Sequence, residues 1–152
     1  MSAQEKLLAE AAKRVLLTDG AWGTQIQTFG LDAADYEGDL GLSRDQKGNN
    51  DILALTRPDV VEKIARAYLD AGSDIISTNT FSSTRISQAD YAAEHLVRDL
   101  NLANAAIARR VKLDQSIDVD PEREITITSG CTEAIAATML GLVEPGDEVV
   151  LI

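Results

Sequence analysis

Four short apolar runs, each bounded by polar residues or glycine, alternate along this chain with stretches of helical periodicity. Val15-Leu16-Leu17 runs into Thr18-Asp19-Gly20, and Asp74-Ile75-Ile76 runs into Ser77-Thr78-Asn79. Ile125-Thr126-Ile127-Thr128 turns at Ser129-Gly130, and Glu148-Val149-Val150-Leu151-Ile152 forms the fourth run. Strand-like and helical segments in this order predict the α/β class, with right-handed crossovers between parallel strands. About four strands make either half of a TIM-type (βα) barrel or a small parallel sheet, and the pattern does not choose between them.

The helical segments carry their own punctuation. Ser2 and Glu5 have capping-box spacing ahead of a face made by Leu7, Leu8, Ala11 and Ala12. Thr56 is placed to cap the next helix, Pro58 sits early in it, and Gly72 is placed to end it. Its apolar positions are Val60, Val61, Ile64, Ala67, Tyr68 and Ala71. A further helical region runs from about Ser83 to Arg110 with a break near Tyr91, its face including Leu96, Leu100, Ala103 and Ile107. Thr132 to Val143 reads as a helix stopped by Pro145-Gly146. Residues 28–49 read as a long loop after a helical turn near Thr24–Gln27, with Asp35 and Glu37, like Glu122 and Glu124, as solvated charges.

Composition closes off several functions. The net charge of −11, from 14 basic and 25 acidic residues, repels phosphate backbones, so no nucleic-acid partner is expected. Every apolar run is too short to span a membrane. The N-terminus mixes acidic with basic residues and reads as a helix, so a cytoplasmic location is expected. One cysteine, Cys131, and one histidine, His95, form no intramolecular disulfide and cannot supply a usual zinc site alone. His95, without a partner nearby in sequence, is expected at the surface or half-buried.

Ligands of parallel sheets bind beyond the C-terminal ends of the strands. Asp19-Gly20 and Ser77-Thr78-Asn79-Thr80 fall at two such ends. Together they offer a carboxylate, hydroxyls, a carboxamide and a glycine, a set able to hold an amino acid. The same residues also serve as plain strand-end caps, and spacing alone leaves both readings open.

Asp19-Gly20-Ala21-Trp22-Gly23-Thr24, Lys47-Gly48-Asn49-Asn50-Asp51, Arg57-Pro58, Asp74 to Phe81 and Ala89-Asp90-Tyr91 follow one another in a specific order. As a set they resemble the N-terminal part of the homocysteine S-methyltransferase domain of cobalamin-dependent methionine synthases, over about residues 1–108. Trp22 stands where that family usually has Met, and Ser77 where it usually has Glu. The resemblance implies a barrel that binds homocysteine, with Asp19, Gly20 and Thr78 against its amino-acid end and Asn79 and Thr80 nearby. It also implies a zinc ion, held by three cysteines, that makes the thiolate, and a methyl group carried on cobalamin. Those cysteines fall in the second half of the barrel and Cys131 is in no matching motif, so binding without catalysis is expected.

The segment 109–152 is read differently. Asp120 to Ala134 and Glu144 to Val150 resemble a fold-type-I pyridoxal-phosphate aminotransferase, whose phosphate-binding turn would fall on Gly130, Cys131 and Thr132. Two alternatives to homocysteine binding stay open: an aminotransferase fragment that takes pyridoxal phosphate at this turn, or a chimera with no ligand, in which the turn merely joins strand to helix. The chain is therefore expected to be a chimera joined near Ala105–Lys112, with a homocysteine-methyltransferase-like half barrel and an aminotransferase-like βαβ segment. Half a barrel leaves unpaired sheet edges, which a second copy of the chain would cover.

Overall fold

The computed structural model of the chain describes residues 3–114. Seven helices carry this region: α1 (Ala3–Ala11), α2 (Trp22–Thr28), α3 (Ala33–Glu37), α4 (Leu53–Thr56), α5 (Pro58–Asp70), α6 (Arg85–Gln88) and α7 (Val97–Asp114). Short 3-10 turns at Asn50–Ile52, Ala89–Tyr91 and Glu94–Leu96 connect them.

The expected half barrel or four-stranded parallel sheet is overturned: among the described residues no β-strand forms. Of the four apolar runs, 15–17 and 74–79 meet only at an isolated parallel bridge between Thr18 and Ile75. The runs at 125–128 and 148–152 lie outside the described residues. The bridge rests on three main-chain bonds, Asp19 N–H to Ile75 O at 3.0 Å, Asp74 N–H to Leu17 O at 2.8 Å and Ile75 N–H to Leu17 O at 3.1 Å.

Two carboxylates stop it from growing into a ladder. Asp74 Oδ2 accepts the Leu17 N–H at 2.9 Å, and Asp19 Oδ2 accepts the Ser77 N–H at 2.7 Å. Side-chain acceptors that capture backbone donors in this way compete directly with sheet pairing. The polar residues that mark strand ends in the sequence thus shorten the strands themselves.

The hydrophobic core lies between helices. Along α5, Val60, Val61, Ile64, Ala65 and Leu69 are buried. They share one cluster with Ile26, Tyr36, Ile52 and Leu53 and the α7 residues Leu100, Ile107 and Val111. The apolar face of α7 is where periodicity predicts it. That of α5 is rotated slightly: Ala65 and Leu69 are buried, whereas Ala67 and Ala71 are exposed.

Local signals explain the helix ends. Pro58 is the first residue of α5, where its missing N–H costs nothing. Gly72 stops it at φ +101°, with Gly72 N–H bonded to Leu69 O and Ser73 N–H to Tyr68 O, the paired bonds of a Schellman motif. Thr56 does not cap α5. It closes the turn before it, its hydroxyl 3.5 Å from Ile52 O.

The segment 28–49 is more ordered than a plain loop. Asp32 caps α3, accepting the Asp35 N–H at 3.1 Å, while Asp35 accepts the Asp32 N–H at 3.0 Å. Asp35 also pairs with Arg57, so it is not the solvated charge expected, although Glu37 is exposed. The break near Tyr91 is real, and Ala92 there adopts the left-handed conformation at φ 53°.

A buried polar clasp joins residues 46–51 to residues 79–91. Asn49 and Gln88 exchange two amide bonds, Asn49 Nδ2 to Gln88 Oε1 at 2.8 Å and Gln88 Nε2 to Asn49 Oδ1 at 3.0 Å. Gln88 Nε2 also reaches Ser82 O, and Gln46 Nε2 reaches Tyr91 O at 2.8 Å. No described helix is long and apolar enough to cross a membrane.

Candidate functional site

The Thr18–Ile75 bridge brings Asp19 beside Ser77, 58 positions further along the chain. Asp19 is half-buried. Its Oδ2 accepts the Ser77 N–H at 2.7 Å and the Trp22 indole N–H at 2.7 Å, and its Oδ1 accepts the Ser77 hydroxyl at 2.9 Å. An ionised carboxylate offers about four acceptor sites. Three are filled here, and among the described residues no cationic side chain pairs with Asp19. The remaining site, on Oδ1, suits an ammonium group.

The indole that donates to this carboxylate is itself packed against a second ring. The rings of Trp22, the first residue of α2, and Tyr68 of α5 are tilted at 43° with centroids 6.4 Å apart. A Cβ on Gly20 would stand 3.4 Å from the Tyr68 hydroxyl oxygen. That is an ordinary van der Waals distance, so the Gly20 backbone lies directly beside the Tyr68 ring.

The other expected residues divide. Thr78 is half-buried, and its hydroxyl lies 2.8 Å from that of Thr80. Asn79 and Thr80 are buried, and Asn79 Nδ2 donates to Asn50 O at 2.8 Å, which ties this segment to the 46–51 clasp. Asp19, Gly20 and Thr78 thus reach solvent, while Asn79 and Thr80 form the support behind them. Gly130, Cys131 and Thr132 lie outside the described residues. His95 is exposed, within the expected range. Among the described residues no three or more of His, Cys, Asp and Glu gather in a group that could hold a metal ion.

Trp22 and Ser77 stand out in the sequence only as departures from a motif, not as donors to Asp19. The signal for Trp22 is its spacing, three residues after Asp19 at the start of a helix. For Ser77 there is no local signal, because the contact depends on the bridge.

Two other carboxylates are set in opposite directions. Hydrogen bonds from the Arg14 guanidinium and then the Leu17 N–H hold Asp74 down at about 2. Burial pushes the Asp51 carboxyl up, against the hydrogen bonds it accepts on Oδ2 from Ser83 Oγ and Ser82 N–H, both 2.7 Å. A raised folded-state value means that the Asp51 contribution is full below the unfolded value and lost as pH rises through the folded one. Asp51→Asn keeps an acceptor for both donors and removes the charge. It should therefore match or exceed the wild type at pH 7, by on the order of 1 kcal/mol, with the difference shrinking towards pH 4 in urea unfolding.

A separate cleft of about 430 Å3 opens at the C-terminal end of α2, lined by Ile26, Leu31, Tyr36, Lys47 and Asn50 among others. Neither Asp19 nor Thr78 lines it.

The family model of the homocysteine S-methyltransferases matches residues 16–149. That span takes in the Asp19, Ser77–Thr80 and 46–51 segments. It also runs across most of the stretch expected to be aminotransferase-like, so a second family after residue 108 is not supported. With this match over most of its length, the chain belongs to the homocysteine S-methyltransferase family, whose function is methyl transfer.

Proposed function

We propose that the chain binds L-homocysteine as the methyl acceptor, its ammonium on Asp19 and its amino-acid end against Gly20 and Thr78. Asn79 and Thr80 hold Thr78 in place from behind. The observation that carries this reading is the Asp19 carboxylate, fixed by three donors with one acceptor site unfilled. Family membership supports homocysteine as the acceptor, and the carboxylate offers a place for its charge.

In the transfer, the homocysteine sulfur bonds to the methyl carbon as the bond from that carbon to its carrier breaks, the electrons staying with the carrier. The thiol proton must leave, because the thiolate is the nucleophile. The resemblance implies zinc held by three cysteines for that task and cobalamin as the carrier. One cysteine and one histidine do not fit such a zinc set, so no step is assigned to a metal here. What these residues can do is bind and orient the amino acid.

Thermal unfolding of the full chain with L-homocysteine tests the reading. At a hundred times its dissociation constant the ligand should stabilise the protein by about 2.7 kcal/mol. Asp19→Ala should abolish the shift, since it removes the only charge assigned to the ammonium. A shift that persists in Asp19→Ala, or none in the wild type, would sink the proposal.

A further inference from the structure

We propose that Trp22 and Ser77 are positioning residues that give this site its preference for a primary ammonium, by fixing the direction of the one free acceptor site on Asp19. The inference rests on the reading of Asp19 as the ammonium site. It adds what makes that carboxylate selective.

A lone carboxylate on a short side chain rotates and meets a cation from many directions. Here rotation is blocked. Trp22 Nε1 and Ser77 N both hold Oδ2 at 2.7 Å, and Ser77 Oγ holds Oδ1 at 2.9 Å. The indole is itself fixed, beginning α2 and resting against Tyr68. Ser77 is fixed by the main-chain bonds at Ile75. Hydrogen bonds to a charged acceptor are stronger than neutral ones, and a site held by such a shell is preorganised for its ligand.

The indole N–H has a single use in this arrangement. It donates to Asp19 and keeps Oδ2 out of the ligand's reach, so the ammonium is directed to Oδ1. Without it, Oδ2 gains an open acceptor site for water or for the ammonium, and only the two Ser77 donors still hold the carboxylate. Trp22 is also the chain's only tryptophan, so its emission reports on the same carboxylate.

The test compares L-homocysteine with 4-sulfanylbutanoate, the same thiol acid without the ammonium, by calorimetric titration of the full-length chain. The wild type should prefer homocysteine, and its tryptophan emission should change with homocysteine but not with the analogue. Trp22→Phe should cut that preference roughly tenfold by weakening homocysteine alone. Ser77→Ala should cut it roughly threefold and Ser77→Thr should restore it, and this pair carries the test if Trp22→Phe does not fold. Equal weakening of both ligands in the variants would reveal a merely structural role and overturn the inference, as would an unchanged preference. A wild type that binds both ligands equally, or neither, overturns the Asp19 reading itself and the inference with it.

Discussion

Gln88→Ala should lower the unfolding free energy by about 3 kcal/mol, measured by urea denaturation with two independent probes. Gln88 is fully buried, and its carboxamide both donates to and accepts from Asn49 while also donating to Ser82 O. Alanine leaves the Asn49 oxygen and the Ser82 carbonyl without this donor, and Asn49 Nδ2 keeps only its bond to Gln46. Each buried polar group left unpaired costs about 1–3 kcal/mol, and water entering the space recovers part of it. Gln88→Glu makes the check sharper. It keeps the shape but sets a second oxygen against two acceptors, so the variant should regain stability as pH falls and the carboxyl protonates. A variant as stable as the wild type at neutral pH would show that the clasp does not hold the 46–51 and 79–91 segments together.

Leu100→Ala should cost about 3 kcal/mol, within the range of about 2–5 typical for truncating a buried leucine. Leu100 is fully buried in the core cluster and belongs to α7, which packs against α4 and α5. Deleting its side chain removes apolar contacts and leaves a cavity that rigid helices fill only in part. Leu102, two residues on, is 49% exposed and makes the matched control. Its alanine variant should stay within about 0.5 kcal/mol of the wild type. Equal losses at the two positions would mean that α7 presents a different face to the core.

The contrast between these leucines was legible in the sequence, because helical spacing puts Leu96, Leu100, Ala103 and Ile107 on one face. Pro58 and Gly72 marked α5 for an equally local reason: each acts through its own backbone. Strands are different, because a strand exists only with a partner. The runs at 15–17 and 74–79 have strand-like composition, yet two carboxylates took the N–H groups that pairing needed. Thr56 and Asp35 depart from expectation for a similar reason, since a capping residue is defined by where its side chain goes and several destinations fit one sequence.

The candidate site divides along the same line. Asp19, Gly20 and Thr78 follow from chemistry placed after an apolar run. The clasp around Asn49 and Gln88 does not, because 39 positions separate its halves and nothing in either half names the other. The Ser77 contact to Asp19 spans 58 positions and is hidden in the same way.

The interception of the ladder by Asp19 and Asp74 also bears on solubility. Val15 is 79% exposed and Leu17 is 54% exposed, so this segment offers apolar side chains to its surroundings. An apolar segment of this kind becomes a template for foreign strands when its backbone donors are also free. Here the Leu17 N–H is held by the Asp74 carboxylate, with the Arg14 guanidinium paired to the same group. An incoming chain would have to displace a charged acceptor to reach that donor. The two carboxylates that halt the ladder at the Thr18–Ile75 bridge thereby guard this segment against intermolecular strand addition, a protection independent of any ligand.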